Sequence, residues 1–265
     1  MTGSAQRISA MVLRYWYLLK NSWPRLFELW YWPTVFMILW GFLQQFIMGN
    51  SELFLNAFGL LLAGVMLWDL MFRSQISLSL SFFEDLWSRN VGHVLVSPIR
   101  DWEWVLALIV ISLLRTVIGI LPATFLAMWF FDFSIYSLGM PLIGFFVLLT
   151  VFGWSIGLMV SGLVLRYGLG AESLAWGLMF GIMPLSCVYY PLTTLPEWLH
   201  PIALALPPTH VFEGMRMILI EGQTPWAHMA KAAALDVLYL AAGVAAFLGW
   251  LRMARVRGMI LQIGE

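Results

Sequence analysis

Long apolar stretches separated by short polar breaks dominate the chain. Six of them, near positions 32–48, 53–72, 104–131, 138–165, 173–190 and 230–251, are apolar with almost no interruption. A hydrocarbon core about 30 Å thick takes roughly 20 such residues per helix. The runs do not alternate at period two, so they predict helices and not the strands of a lipid-facing barrel. The expected fold is an all-α integral membrane protein with six transmembrane helices, all in one transmembrane domain over 1–265.

Positions 1–30 follow a different pattern. Ile8, Met11, Val12, Tyr15 and Leu19 recur at helical spacing, while Arg7, Arg14 and Arg25 fall on another face. This predicts an amphipathic N-terminal helix lying in the headgroup layer, with Trp16, Trp23 and Trp30 as interfacial anchors. Pro24 and Pro33 are expected to break it before the first span. Basic residues spread along the segment, with no compact apolar core, argue against a cleavable signal peptide.

Composition narrows the class. Of the 265 residues 62% are hydrophobic and 11% charged, against about 45–50% and about 25% in soluble domains. That excludes a water-soluble enzyme, and it excludes disorder, which needs polar and charged sequence. The single cysteine, Cys187, rules out an intramolecular disulfide and a cysteine-based metal site.

The formal net charge is zero, so only the placement of charge informs. Arg7, Arg14, Lys20 and Arg25 precede the first span. Arg73, Arg89 and Arg100 lie around the loop after the second, Arg166 after the fourth, and Arg252, Arg255 and Arg257 in the tail. The opposite side carries only Arg216, with Lys231 at the mouth of the last span. Positive charge marks the cytoplasmic side. A bacterial inner (plasma) membrane protein with both termini in the cytoplasm is expected.

Familiar chemistry is missing. There is no GxxxxGK[ST] phosphate loop, no HExxH and no GxSxG. The four histidines (His93, His200, His210, His228) are scattered through loops. No catalytic residue, bound cofactor or metal site is therefore expected, and nothing suggests a nucleic-acid partner. Among ionisable residues within the spans, Asp69 sits one turn from Arg73 and can pair with it. Glu172 and Asp236 read as span-end residues. Arg115 lies roughly 16 Å into its span at 1.5 Å per residue. It is either a functional intramembrane charge or a side chain that snorkels or pairs with Asp69.

Two loops carry most of the functional signal. The cytoplasmic loop places polar Glu84, Asp85, Arg89 and His93 among apolar Leu86, Val91, Val94 and Leu95, and ends at Ser97-Pro98. It reads as a short amphipathic helix over 82–98, placed to touch a cytoplasmic partner. The outer loop over 191–228 is too apolar to be solvated, and Pro191, Pro196, Pro201, Pro207 and Pro208 cut it into pieces. Short helices over 195–206 and 211–220 are expected to re-enter the outer leaflet, with Glu213 and Arg216 close enough to pair.

At these loops the sequence resembles the permease subunits of type-2 ABC exporters. The family's "leu-leu-val-ser-pro" coupling stretch reads here Val94-Leu95-Val96-Ser97-Pro98, followed by Ile99-Arg100-Asp101-Trp102-Glu103. Its outer "phe-pro-leu-x-x-leu-pro-x-trp-leu" reads Tyr190-Pro191-Leu192-Thr193-Thr194-Leu195-Pro196-Glu197-Trp198-Leu199. Its "pro-leu-thr" with a glutamate and an arginine three apart reads Pro208-Thr209, then Glu213 and Arg216. The family's "glu-arg-gly-thr-leu-glu" is replaced by the stretch from Trp87 to His93.

The resemblance implies a half-transporter of spans 1–5 (31–190, with the coupling segment 82–98), the outer re-entrant loop, and span 6 with a basic tail (229–265). Two ABC ATPase subunits per complex would carry ATP and Mg and dock at Glu84, Asp85, Arg89, His93, Ser97 and Pro98. Pro191, Leu195, Pro196, Trp198, Pro208, Glu213 and Arg216 would form an outer gate. The chain would work as a homodimer, or as a heterodimer with a second permease chain, surrounded by membrane lipid. Gly177 and Gly181 would lie at the seam, where small residues four apart let helices approach; Gly153 and Gly157 share that spacing and equally suit packing within one subunit. The cargo would be amphiphilic, lipid-linked, glycan or drug-like. No importer coupling motif (glu-ala-ala, then glycine) is present, which favours export. Rival readings are an ion-coupled secondary transporter, a non-transporting scaffold or assembly subunit, and a membrane-embedded lipid enzyme, for which no convergent polar cluster is visible.

Overall fold

The computed structural model describes residues 3–258 except 50–58, and residues 47–49 as backbone only. The start of the second expected span and the last part of the basic tail lie outside the described residues. Among the described residues all regular structure is helical: α1 (Ser4–Lys20), α2 (Trp23–Gly49), α3 (Leu60–Trp87), α4 (Val91–Val96), α5 (Asp101–Phe131), α6 (Pro141–Tyr167), α7 (Leu174–Leu185), α8 (His200–Leu204), α9 (Pro207–Arg216) and α10 (Trp226–Val256).

Helix α3 is the hub. It is buried along most of its length and packs against α5, α6 and α2. Its contact with α6 depends on two glycines: a Cβ at Gly153 would lie 2.1 Å from Ser74 Oγ and 2.7 Å from the Met71 carbonyl oxygen, and one at Gly157 3.0 Å from that of Gln75. These glycines serve packing within the chain. Gly177 and Gly181 on α7 have nothing within 4 Å of a built Cβ, so that stripe is open. Helices α6 and α10 form the most extensive pair, closed at Gly243, whose added Cβ would meet the Ser155 carbonyl oxygen at 2.6 Å.

Among the described residues five helices are long and apolar enough to cross a bilayer: α2 over Trp23–Phe46, then α3, α5, α6 and α10. The fifth expected span, 173–190, is shorter than its apolar run. Helix α7 has 12 residues and ends before Cys187, which adopts φ 55°. At 1.5 Å per residue it rises about 18 Å, and with the preceding 3-10 turn the apolar segment is Leu169–Leu185.

The N-terminal helix forms as its spacing predicts. Met11, Tyr15 and Leu19 are buried one turn apart, and Ile8, Val12 and Trp16 pack beside them. The expected break is only partly right. The chain turns at Asn21-Ser22, and Pro24 sits in the first turn of α2, where its missing N–H costs nothing. Pro33 does not break the helix; α2 runs through it. A proline at 33 leaves the carbonyl of residue 29 without its helical donor, and the Arg73 side chain fills that place, with Nη1 donating to the Leu29 carbonyl oxygen at 3.1 Å.

Candidate functional site: a charge junction beneath a presented turn

The ends of α1, α3 and α5 meet where the sequence concentrates its basic residues. Asp85, in the last turn of α3, is fully buried. It accepts from Arg14 Nη2 at 2.5 Å and from the Tyr15 hydroxyl at 2.6 Å. The Tyr15 hydroxyl in turn accepts from Trp104 Nε1 at 2.9 Å. Burial, reinforced by the Asp85 carboxylate, pushes the Tyr15 phenol well above its ordinary pKa, so it stays a donor. Nearby, Arg7 binds Glu103 through Nη2 at 2.5 Å and Nε at 2.8 Å. Glu103 also accepts from the Arg100 backbone N–H at 2.9 Å, capping the start of α5.

These contacts correct two expectations. Arg7 and Arg14 do not lie on a solvated polar face of α1; they point inward to carboxylates. Glu84 and Asp85 do not present a charged surface to a partner. Glu84 is 8% exposed and holds Arg115 at 3.3 Å and Arg25 at 3.6 Å. Arg115 therefore pairs with Glu84 and not with Asp69, which pairs with Arg73 at 3.2 Å as its one-turn spacing allows. Residues 31 apart in sequence gave no cue to the Arg115–Glu84 pair, which exists because α3 and α5 lie side by side.

The 82–98 segment is not one amphipathic helix. Residues 82–87 finish α3, the chain turns at Ser88–Asn90 with Arg89 at φ 54°, and α4 follows. Val91 and Val94 are buried and anchor α4, while His93, Ser97, Pro98 and Arg89 are exposed. Val96 is 89% exposed. A bare valine on a helix whose other valines are buried was hidden in the sequence, because spacing within so short a helix does not show which side the body covers. The turn is tied sideways as well: Trp87 Nε1 donates to Glu172 Oε2 at 3.1 Å, ahead of α7, and Arg255 of α10 pairs with Asp101 of α5.

At the opposite end, the segment 191–228 divides in two. Pro191, Pro196 and Trp198 are exposed and Leu195 half-buried; instead of a helix over 195–206 there are one 3-10 turn, Glu197–Leu199, and the short α8. The prolines enforce this by removing donors and fixing φ. Helix α9, by contrast, is buried, with Pro208 in its first turn. Glu213 accepts from Arg216 Nη2 at 3.0 Å and from the Leu192 N–H at 2.8 Å. Arg216 also donates to the carbonyl oxygen of Cys187 at 2.6 Å. The Glu213–Arg216 pair thus pins the irregular backbone after α7. Burial pulls the His210 imidazole below its ordinary pKa, and its ring lies 5.7 Å from that of His228.

One residue was undervalued in sequence. Asp236 is no span-end residue: it lies well within α10, is 3% exposed, and neither carboxyl oxygen has a partner among the described residues. Its position in the helix, not its neighbours in sequence, was the available signal.

Among the described residues, five spanning-length helices, a charge-locked junction at one end and a pinned apolar segment at the other define a multi-pass membrane protein. The model of the ABC-2 type transporter family matches residues 9–220, and the chain belongs to that family. It is the transmembrane component of an ABC transporter. Membrane subunits of this family are generally non-catalytic and work with ABC ATPase partners. No curated protein matches the chain.

Proposed function

We propose that the chain is the permease of an ATP-driven exporter that moves an amphiphilic, lipid-linked, glycan or drug-like molecule out of the cytoplasm. It crosses the inner membrane six times, with α7 as the short fifth crossing, the outer segment re-entrant and both termini cytoplasmic. Two ATPase subunits, which bind ATP and Mg, dock on the turn and α4. Arg89, His93, Val96, Ser97 and Pro98 make the contact, while Glu84 and Asp85 act behind it. A second permease chain, identical or related, completes the pathway across the α7 glycines.

The observation that carries this reading is the way the presented turn is mounted. Val91 and Val94 fix α4 to the body, and Asp85, three residues before the turn, is locked to α1 by Arg14 and Tyr15. A push on α4 therefore moves α1, α3 and α5 together. The test is photo-crosslinking from position 96 in native membranes, followed by identification of the captured chain. Capture of a protein with a nucleotide-binding phosphate loop is expected. Transport that continues in ATP-depleted vesicles, with no such protein captured, would overturn the reading.

The buried Asp236 favours an ion-coupled carrier as the second reading. In that case Asp236→Asn abolishes transport that an imposed proton or sodium gradient drives without ATP.

A further inference from the structure

Helices α9 and α10 enclose a series of buried polar atoms that nothing pairs. His210 of α9 is 4% exposed, and its ring lies 5.7 Å from that of His228 in the first turn of α10. Neither Nδ1 atom has a hydrogen-bond partner among the described residues. His228, Ala232 and Asp236 follow at a spacing of four, so they share one side of α10, and Ala232 is fully buried. Asp236 is 3% exposed with both carboxyl oxygens unpaired. Along the axis it lies roughly 12 Å beyond His228 at 1.5 Å per residue.

Surroundings fix the chemistry at each end. His210 Nε2 is 3.0 Å from the Leu204 carbonyl oxygen. A carbonyl only accepts, so Nε2 carries the ring proton and Nδ1 of the neutral ring keeps an open lone pair. Asp236 sits between two contacts of α10 with α6, Met229 on Gly144 and Tyr239 on Phe152, and residues 145–151 of α6 bring no ionisable group. Helix α9 brings Glu213 and Arg216, which pair with each other. On α10, Lys231 is exposed and Tyr239 sets its ring against Phe152. Asp101, Glu103 and Arg115 of α5 pair with Arg255, Arg7 and Glu84. None of these groups offers Asp236 a cation. An ionised carboxylate held out of water without a partner is too costly to persist, and such a group neutralises by keeping a proton.

We propose that the seam between α9 and α10 is a proton-binding site, with Asp236 holding the proton inside and the His210–His228 pair serving as its route to water. On exchange, a proton from water bonds to His210 Nδ1 and makes an imidazolium. The imidazolium releases that proton to water entering the seam, which delivers it to a carboxylate oxygen of Asp236. One proton moves and no electron does. The site goes beyond the exporter reading, which needs no proton, and does not rest on it. An ion-coupled carrier would use the same proton, so the test reads binding and not transport.

The test is infrared difference spectroscopy of the full chain in nanodiscs of zwitterionic lipid, without ATP or ATPase. At about pH 7 an ordinary aspartate, with a pKa of about 3.9, is ionised. The native chain should still show the C=O stretch of a protonated carboxylic acid, absent from Asp236→Asn and shifted in Asp236→Glu. Transfer to deuterated buffer should move this band. The double variant His210→Asn with His228→Asn should slow that movement about tenfold or more and leave the band's intensity unchanged, a split that a purely structural role would not give. Asp236→Asn mimics the neutral acid and should fold; Asp236→Glu carries the test where it does not. Absence of any band that depends on Asp236, or a native exchange rate in the histidine double variant, would overturn the proposal. Failure to capture an ATPase at position 96 would sink the exporter reading and leave the proton site standing.

Discussion

Arg73 donates to the carbonyl oxygen of Leu29 at 3.1 Å, the acceptor that Pro33 strips of its helical partner. One side chain thus closes a gap in a neighbouring helix while pairing with Asp69 on its own. In hydrocarbon there is no water to take either role, so α2 and α3 are joined at the place where α2 is weakest.

That joint predicts non-additive substitutions. Arg73→Met leaves the half-buried Leu29 carbonyl and Asp69 carboxylate without this partner, and should destabilise the chain by roughly 1–3 kcal/mol. Pro33→Ala restores a backbone donor to Leu29. In the double variant the loss should shrink by about 1 kcal/mol, read as a double-mutant cycle of unfolding in detergent. Strict additivity would remove the role assigned to Arg73.

Asp85 should matter for folding before it matters for transport. Asp85→Ala strands Arg14 and the Tyr15 hydroxyl, and α1 should detach. Limited trypsin digestion should then cut at Arg7 and Arg14, which native protein protects. His93→Ala should leave digestion and thermal stability within about 0.5 kcal/mol of native. Equal protection in native and Asp85→Ala protein would show that α1 is held by its apolar face alone.

The two glycine pairs should separate cleanly. A Cβ at Gly153 meets the Met71 backbone, so Gly153→Ala overpacks the α3–α6 contact and should cost about 1–3 kcal/mol. A Cβ at Gly181 meets nothing within 4 Å, so Gly181→Leu should leave the monomer's thermal stability unchanged. If α7 is the seam, the Gly181→Leu chain should run as a monomer on sizing in mild detergent; a full dimer would exclude that stripe.

Acid should loosen the segment around α9. The folded pKa of His210 lies below its ordinary 6.5 because of burial, so the unfolded chain binds the proton more readily. The stability this contributes is complete above about pH 6.5 and is lost as pH falls below it. His228, Glu213 and Lys231 lie close enough to modulate the effect. His210→Asn should flatten the fall in melting temperature between pH 7 and 5; an unchanged slope would assign it elsewhere.

Sequence by itself determined the membrane class, most of the spans and the amphipathic first helix, because apolar length and helical period are local properties. It also marked Glu213–Arg216 and Asp69–Arg73, whose partners lie within one turn. Tertiary structure decided the rest. Arg115 and Glu84, Asp85 and Arg14, and Arg73 and the Leu29 carbonyl are pairs between different helices, and no local rule relates their positions. The same limit explains the 82–98 segment: Glu84 and Asp85 look like surface charges in a polar stretch. In a chain that is 11% charged, carboxylates at these helix ends are drawn inward to guanidiniums that offset their burial. What remains outside is Val96, among the exposed Arg89, His93, Ser97 and Pro98.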